Sequence, residues 1–315
     1  MKNNFATILF GVFILILFIN LSSADFYDWF GKITGRVTTG QTNVSVALNG
    51  TNGVTLLVYN SSLGSVSPTE DGTTTATIYI VVNDTDGVSD INDTSVNVTF
   101  YKTGETNRGN NSCQLLSDLT AQTANYTCAV SMYYFDSSST WNIIACARDL
   151  GNGTYVCNST TTFTYNQLQA LTLSPNSITW ATLTPGGTNQ TSNNDPSIVN
   201  NTGNYNFTNV TVKGFNLHGE VVTTTFINVA NFTVANNTGS TAECDTSPTV
   251  NNATVLSNGT AIQIKHSLLT RGNHSVNNGA TGQEQLYHCI LTVPQVQSQT
   301  YSTSYAGGAW IIAGA

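Results

Sequence analysis

Charge is what this chain lacks. Only 8% of its 315 residues are Asp, Glu, Lys or Arg, and 9 basic against 17 acidic residues leave a formal charge of −8. So few basic residues, spread over the whole length, make no phosphate-neutralising stripe, which excludes nucleic acid as a partner. Glu and Lys are scarce while Thr, Val and Asn abound, which excludes a coiled coil or helical bundle. No apolar run of spanning length follows residue 18, and the short apolar end at 309–315 cannot cross a bilayer, so no transmembrane segment is expected in the mature chain. Motifs of chemistry are missing too: G-x-S-x-G, the P-loop, H-E-x-x-H, G-x-G-x-x-G and C-x-x-C are all absent. The four histidines, His218, His266, His274 and His288, are too scattered to nominate a metal cluster. Glutamates are too few to favour the paired carboxylates of a glycosidase. The expectation is a protein that is not an enzyme.

What is present places the chain outside the cytosol. Met1-Lys2-Asn3-Asn4 precedes an uncharged apolar run over residues 5–18, and Ser22-Ser23-Ala24 supplies a small-x-small exit. This reads as a signal peptide over 1–24, in preference to an uncleaved anchor, because the run is shorter than a membrane span. The six cysteines, Cys113, Cys128, Cys146, Cys157, Cys244 and Cys289, are an even number, as in an oxidising compartment. If each half closes its own bridges, Cys244 pairs with Cys289. Among the first four, Cys113–Cys128 with Cys146–Cys157 is the local choice, and Cys128–Cys146 with Cys113–Cys157 is also compatible with the strand register.

Acceptor sites for N-linked glycans, Asn-x-Ser/Thr, run the length of the chain. They start at Asn43, Asn49, Asn60, Asn83, Asn92, Asn97, Asn110, Asn125, Asn152 and Asn158, and continue at Asn189, Asn200, Asn206, Asn209, Asn231, Asn236, Asn252, Asn258 and Asn273. An Asn- and Thr-rich composition produces some of these by chance. Their placement argues for use: in residues 95–100, Val96, Val98 and Phe100 share one face of a strand and Asn97 the other. A sugar coat would supply the hydration that charge normally gives.

The aromatic content, 13 Phe, 13 Tyr and 4 Trp, is too high for a disordered chain. Residues 25–53 form an N-terminal segment with an aromatic patch, Phe26, Tyr27, Trp29 and Phe30, followed by an alternating strand at 42–48 with Val44, Val46 and Leu48 on one face. Short strands separated by polar turns follow, at 54–59, 75–83, 95–101, 126–134, 141–147 and 160–165. A second set falls at 171–173, 178–183, 207–215, 221–229, 232–235, 261–266, 286–293 and 301–312. The pattern predicts an all-β protein of two tandem Ig-like β-sandwich domains, 54–170 and 171–315. Parity shifts between Phe207 and Val210, which predicts a bulge.

Four stretches carry a resemblance. Asp28-Trp-Phe-Gly-Lys-Ile-Thr-Gly-Arg-Val37 with Gln41-Thr-Asn-Val-Ser-Val46, Val82-Asn-Asp-Thr-Asp-Gly-Val-Ser-Asp-Ile91, Trp141-Asn-Ile143 and Ala147-Arg-Asp-Leu-Gly151 with Phe163-Thr-Tyr-Asn-Gln-Leu168, and Asn201-Thr-Gly-Asn204 resemble segments of exported surface proteins of small-genome (DPANN-type) archaea. The resemblance implies an extracellular, cell-surface protein with Ig-like modules, and carries over no active site.

One acidic loop, Asp84, Asp86, Asp90 and Asp93, offers the oxygen ligands that calcium takes, though its spacing is not that of an EF-hand. The same residues also serve ordinary turns. No other cofactor is expected. Strand 42–48 allows two readings. It is the first strand of its own sandwich, or it is a donor that completes a neighbouring copy by β-strand addition, giving a pilus-like filament whose partner is the chain itself. One alternative function is a monomeric adhesin or surface-layer-associated protein contacting a host or neighbouring cell through Tyr133, Tyr134, Trp180 or Trp310; the other, ranked below it for want of any motif, is a secreted hydrolase.

Overall fold

The structure is a computed structural model that describes residues 63–151, 154–236, 242–247, 253–305 and 308–315, with the main chain of 43–47. The signal segment 1–24, Phe26, Tyr27, Trp29, Phe30, Leu48, the expected strand 54–59, and Asn49, Asn60, Asn152 and Asn252 lie outside the described residues. Among the described residues, every regular element is a strand or a single 3-10 turn.

Among the described residues, the first half contains nine strands: β1 (Asn43–Ala47), β2 (Ser65–Val66), β3 (Thr73–Asn83), β4 (Asn97–Tyr101), β5 (Arg108–Asn110), β6 (Gln114–Thr120), β7 (Thr123–Tyr133), β8 (Ser139–Ala147) and β9 (Val156–Tyr165). They build two sheets, ordered β1-β3-β7-β6 and β2-β9-β8-β4-β5. Alternation with period two creates the core between them. Ala76, Ile78, Ile80 and Val82 of β3 and Tyr126, Cys128, Val130 and Met132 of β7 face Val98 and Phe100 of β4, Trp141 and Ile143 of β8, and Phe163 and Tyr165 of β9. Trp141 is fully buried, and its indole N–H donates to Ser137 O at 2.9 Å. Burying that ring without a partner for the N–H would forfeit part of the gain from its apolar surface.

The second half contains β10 (Leu171–Ser174), β11 (Thr188–Thr191), β12 (Ser197–Asn201), β13 (Val210–Lys213), β14 (Leu217–Gly219), β15 (Phe226–Ile227), β16 (Phe232–Ala235), β17 (Thr254–Val255), β18 (Ala261–Gln263), β19 (Gln283–Thr292), β20 (Tyr301–Ser302) and β21 (Ile311–Gly314). β19 is the spine. It pairs with β12 through residues 283–286, with β11 through 289–292, and with β16 on its other edge. The sheets β18-β13-β21 and β15-β14-β20 complete the half. Val199, Val212, Phe232, Val234, Leu286 and Ile290 contribute to a second core.

Several expected strands change. Residues 178–183 form no ladder among the described residues; Ile178, Trp180 and Leu183 are half-buried there, and the Trp180 indole N–H donates to Gln190 O at 3.1 Å. The stretch 221–229 keeps only β15, and 301–312 splits into β20 and β21. Phe207 makes an isolated bridge to Leu269, and the continuous strand begins at Val210, beyond the parity shift.

Three disulfides close locally: Cys113–Cys128, Cys146–Cys157 and Cys244–Cys289. Cys146 and Cys157 face each other across the β8–β9 pair. Such bridges persist in oxidising compartments, so the chain has the character of a secreted protein. No described helix is long and apolar enough to cross a membrane.

The two cores lie within one compact unit, Thr42–Ala315. Arg271 of the second half grips the first, donating from Nη1 and Nη2 to Glu105 at 3.2 and 2.5 Å and from Nη1 to Phe135 O at 3.0 Å. His274 reaches Asp71 through Nε2 at 2.6 Å, and its N–H donates to Tyr134 Oη. The buried segment Asn201-Thr-Gly-Asn204 is the inner clasp. Asn204 accepts from Leu168 N–H and donates to Asn166 O, while the Thr202 hydroxyl donates to Glu70 and its carbonyl accepts from Asp71 N–H. Gly203 lies against the Leu168 carbonyl, with no room for a Cβ.

Candidate functional site

Three carboxylates converge at one end of the first half. Asp84 follows β3 directly. Asp90 closes the single 3-10 turn Val88–Asp90. Asp149 lies just past β8. One oxygen from each lies within 4.8 Å of the others. The backbone fixes this meeting: Ile91 bridges Asp149, and Leu150 N–H donates to Asp90 O at 2.8 Å. On the other side, Asp84 N–H donates to Gln122 O and Val88 N–H to Ala121 O, tying the loop to the β6–β7 turn.

This is a different ligand set from the one expected within the loop. Asp93 is exposed and accepts the Tyr126 hydroxyl at 2.6 Å, which commits it to the sandwich core. Asp86 is exposed, and its N–H caps Asp84 Oδ1 at 2.9 Å. Asp149, from outside that loop, takes their place. Burial raises the Asp84 pKa above the ordinary aspartate range, and the charges of Asp90, Asp149 and Asp86 push it the same way. Asp90 is raised as well, by desolvation, by the charges of Asp149 and Asp86, and by its hydrogen bond with Asp149.

At the opposite edge of the same sheet from β6, β1 pairs with β3 in parallel, from Asn43↔Tyr79 to Ala47↔Asn83. The register sets Val44 level with Ile80 and Val46 level with Val82, two core positions of β3. β1 therefore matches only the second half of β3. β6, the other edge, is exposed throughout, with Leu115, Leu116 and Leu119 in water and its register interrupted twice. Sequence alternation missed β6 because neither of its faces is buried.

The second half holds an apolar cleft of about 680 Å³, lined among others by Trp180, Leu183, Ile227, Phe232, Tyr301 and Trp310. Trp180 and Trp310 both pack against Phe232, with ring centroids 5.2 and 5.3 Å away. Of the other expected contact residues, Tyr134 is buried against Phe135 and His274. Tyr133 lies under the Arg108 guanidinium, 4.4 Å from the ring centroid.

The histidines stay apart. His218 Nδ1 pairs with Thr223 O, His266 is exposed in a left-handed conformation, and His274 joins the two halves. His288 is buried, with Nδ1 3.0 Å from Asp195, an Asp–His pair of the kind that orients a general base. Its Nε2 meets no hydrogen-bonding group among the described residues.

None of the described sequon asparagines is fully buried, and Asn189, Asn206 and Asn258 are exposed. Several amides are engaged: Asn83 donates to Thr123, Asn97 to Ser95 O, Asn110 to Ala129 O and Asn236 to His266 O.

No family model matches the chain, and no curated protein matches it. Among solved structures, the secreted serine protease VesC from Vibrio cholerae is similar over 82% of this chain and 54% of its own, at 9% identity and a TM-score of 0.19. A likeness that distant carries no argument about fold or activity.

Proposed function

We propose that this chain is a non-enzymatic, N-glycosylated structural protein of the cell surface, made of two tandem Ig-like sandwiches, and that it is the subunit of a pilus-like filament joined by β-strand addition. The reading agrees with the resemblance to archaeal surface proteins and with the three disulfides of an exported chain. The observation that carries it is β1. A strand that pairs in parallel with its neighbour needs a long connection, and residues 48–72 separate β1 from β3. Residues 63–72 belong to the sandwich through β2, and β1 would satisfy the same β3 edge whether its own chain or the next one supplied it. Supplied by the next chain, the contact is head-to-tail, and copies add without closing. In such a filament the aromatic segment Phe26, Tyr27, Trp29 and Phe30 would be available at the subunit junction, where large rings contribute most.

Negative-stain microscopy of the mature glycosylated chain, beside a chain lacking residues 25–51, tests the proposal. Filaments from the first and dispersed folded particles from the second support it. Dispersed monomers from the full chain at high concentration defeat it.

A second reading is a monomeric surface adhesin, and the apolar cleft favours it. Its volume falls within the ~300–1,000 Å³ of small-ligand sites, and Trp180 and Trp310 stand at its wall. Saturable binding of a glycan or cell-surface ligand by monomers, lost in Trp310→Ala, would favour this reading over the filament.

A further inference from the structure

We infer that Asp84, Asp90 and Asp149 form a calcium site that ties the loop after β3 to the end of β8. It goes beyond the filament proposal and does not depend on it.

The donors are three carboxylates with one oxygen each inside 4.8 Å, two from the loop after β3 and one from the segment after β8. Such a group is a common surface accident when it is exposed; here two of its three members, Asp84 and Asp149, are buried. Asp84 is 1% exposed, its Oδ1 is taken by Asp86 N–H, and its Oδ2 has no hydrogen-bond partner among the described residues. A buried carboxylate oxygen without a partner is rare in folded proteins and calls for an ion or a donor. The charges that act on Asp84 and Asp90 are those of Asp86, Asp90 and Asp149, all negative. Asp149 is also 3% exposed, with one oxygen accepting Gly151 N–H at 2.5 Å. A divalent cation at the centre removes the mutual repulsion and satisfies Asp84 Oδ2 together.

The donor chemistry selects the metal. All the ligands are hard oxygens, with no thiolate and no imidazole, which favours calcium or magnesium over zinc and copper. Magnesium demands near-ideal octahedral geometry, whereas calcium accepts the uneven set that one loop and the segment after β8 provide. Asp149 and Asp90 are already linked through the Ile91↔Asp149 bridge and the Leu150–Asp90 hydrogen bond, so the ion fixes a junction that the backbone has brought together.

The test uses the full glycosylated chain, stripped with EDTA and dialysed. Calorimetric titration with calcium is expected to give one ion per chain, with a dissociation constant in the ~10⁻⁴–10⁻³ M range of extracellular calcium modules. Tm is expected to rise at 10 mM calcium and to rise less at 10 mM magnesium. Asp149→Asn is expected to weaken binding at least tenfold, and Asp93→Asn, whose carboxylate is committed to Tyr126, to leave the affinity within twofold. No calcium-dependent change in heat or Tm for the unmutated chain would overturn the inference without requiring any variant to fold. An equal response to magnesium, or a loss of binding in Asp93→Asn equal to that in Asp149→Asn, would overturn the metal or the ligand set.

Discussion

Arg271→Ala should loosen the two halves of the molecule. Arg271 makes a two-pronged contact with Glu105 and a third bond to Phe135 O. Its side chain is 26% exposed and that of Glu105 13%, so the pair is mostly shielded from solvent. Hydrogen bonds involving a charge contribute about 1.5–3 kcal/mol each, and breaking a fully buried pair costs about 3–5 kcal/mol. Partial exposure screens part of that. The expected loss is about 2–3 kcal/mol, measured by equilibrium urea unfolding of the full chain. A double-mutant cycle with Glu105→Gln isolates the pair, since each partner is removed with the other absent or present. The coupling should be about 1–2 kcal/mol. A coupling below about 0.5 kcal/mol, the level of exposed surface pairs, would show that this clamp does not hold the halves together.

Three other outcomes follow from the packing. Replacing both Cys244 and Cys289 by Ala opens a loop with a sequence separation of 45 and should cost about 4 kcal/mol by loop-closure entropy, read from the denaturation midpoint; a loss under about 1 kcal/mol would refute the estimate. Gly203→Ala drives a methyl group into the Leu168 carbonyl and should destabilise by about 1–3 kcal/mol, whereas Gly104→Ala, in open space but at positive φ, should cost about 1 kcal/mol or less. Burial pushes the Glu284 carboxyl above its ordinary pKa, against the hydrogen bonds from Leu268 N–H and Asn236. The folded chain then holds this proton to a higher pH than the unfolded one. Stability should therefore fall as pH rises from 4.5 towards the folded value, and Glu284→Gln should flatten that slope in a pH series of melting curves. An unchanged slope would count against Glu284 as its source.

Much of the first half could be read from the sequence, and for one reason. β3, β7 and β8 each bury one face and wet the other, so period-two alternation marks them directly. β6 has no buried face and carries no such mark. Residues 178–183 alternate well enough to look like a strand, but their apolar side chains pack over a cleft without a ladder to join. The acidic site was half legible. Asp84 and Asp90 share one loop, while Asp149 arrives only because β8 runs antiparallel beside β4 and returns the chain to Ile91. Such a meeting is set by topology and leaves no local spacing to find. Asn201-Thr-Gly-Asn204 was visible as a motif, but its work as a clasp depends on Leu168 and Asp71, which lie in the other half.

The most direct test of strand exchange uses the β1–β3 register. Ser45 lies opposite Val81, so one preparation carries Ser45→Cys and the other Val81→Cys. The two are mixed under assembly conditions, oxidised, and run on a non-reducing gel. If neighbours supply β1 to one another, a disulfide-linked pair containing one chain of each kind forms in the mixture. A chain bearing both substitutions then builds a covalent ladder. If β1 always serves its own chain, the mixture gives no mixed pair, the doubly substituted chain closes only on itself, and the filament proposal is contradicted.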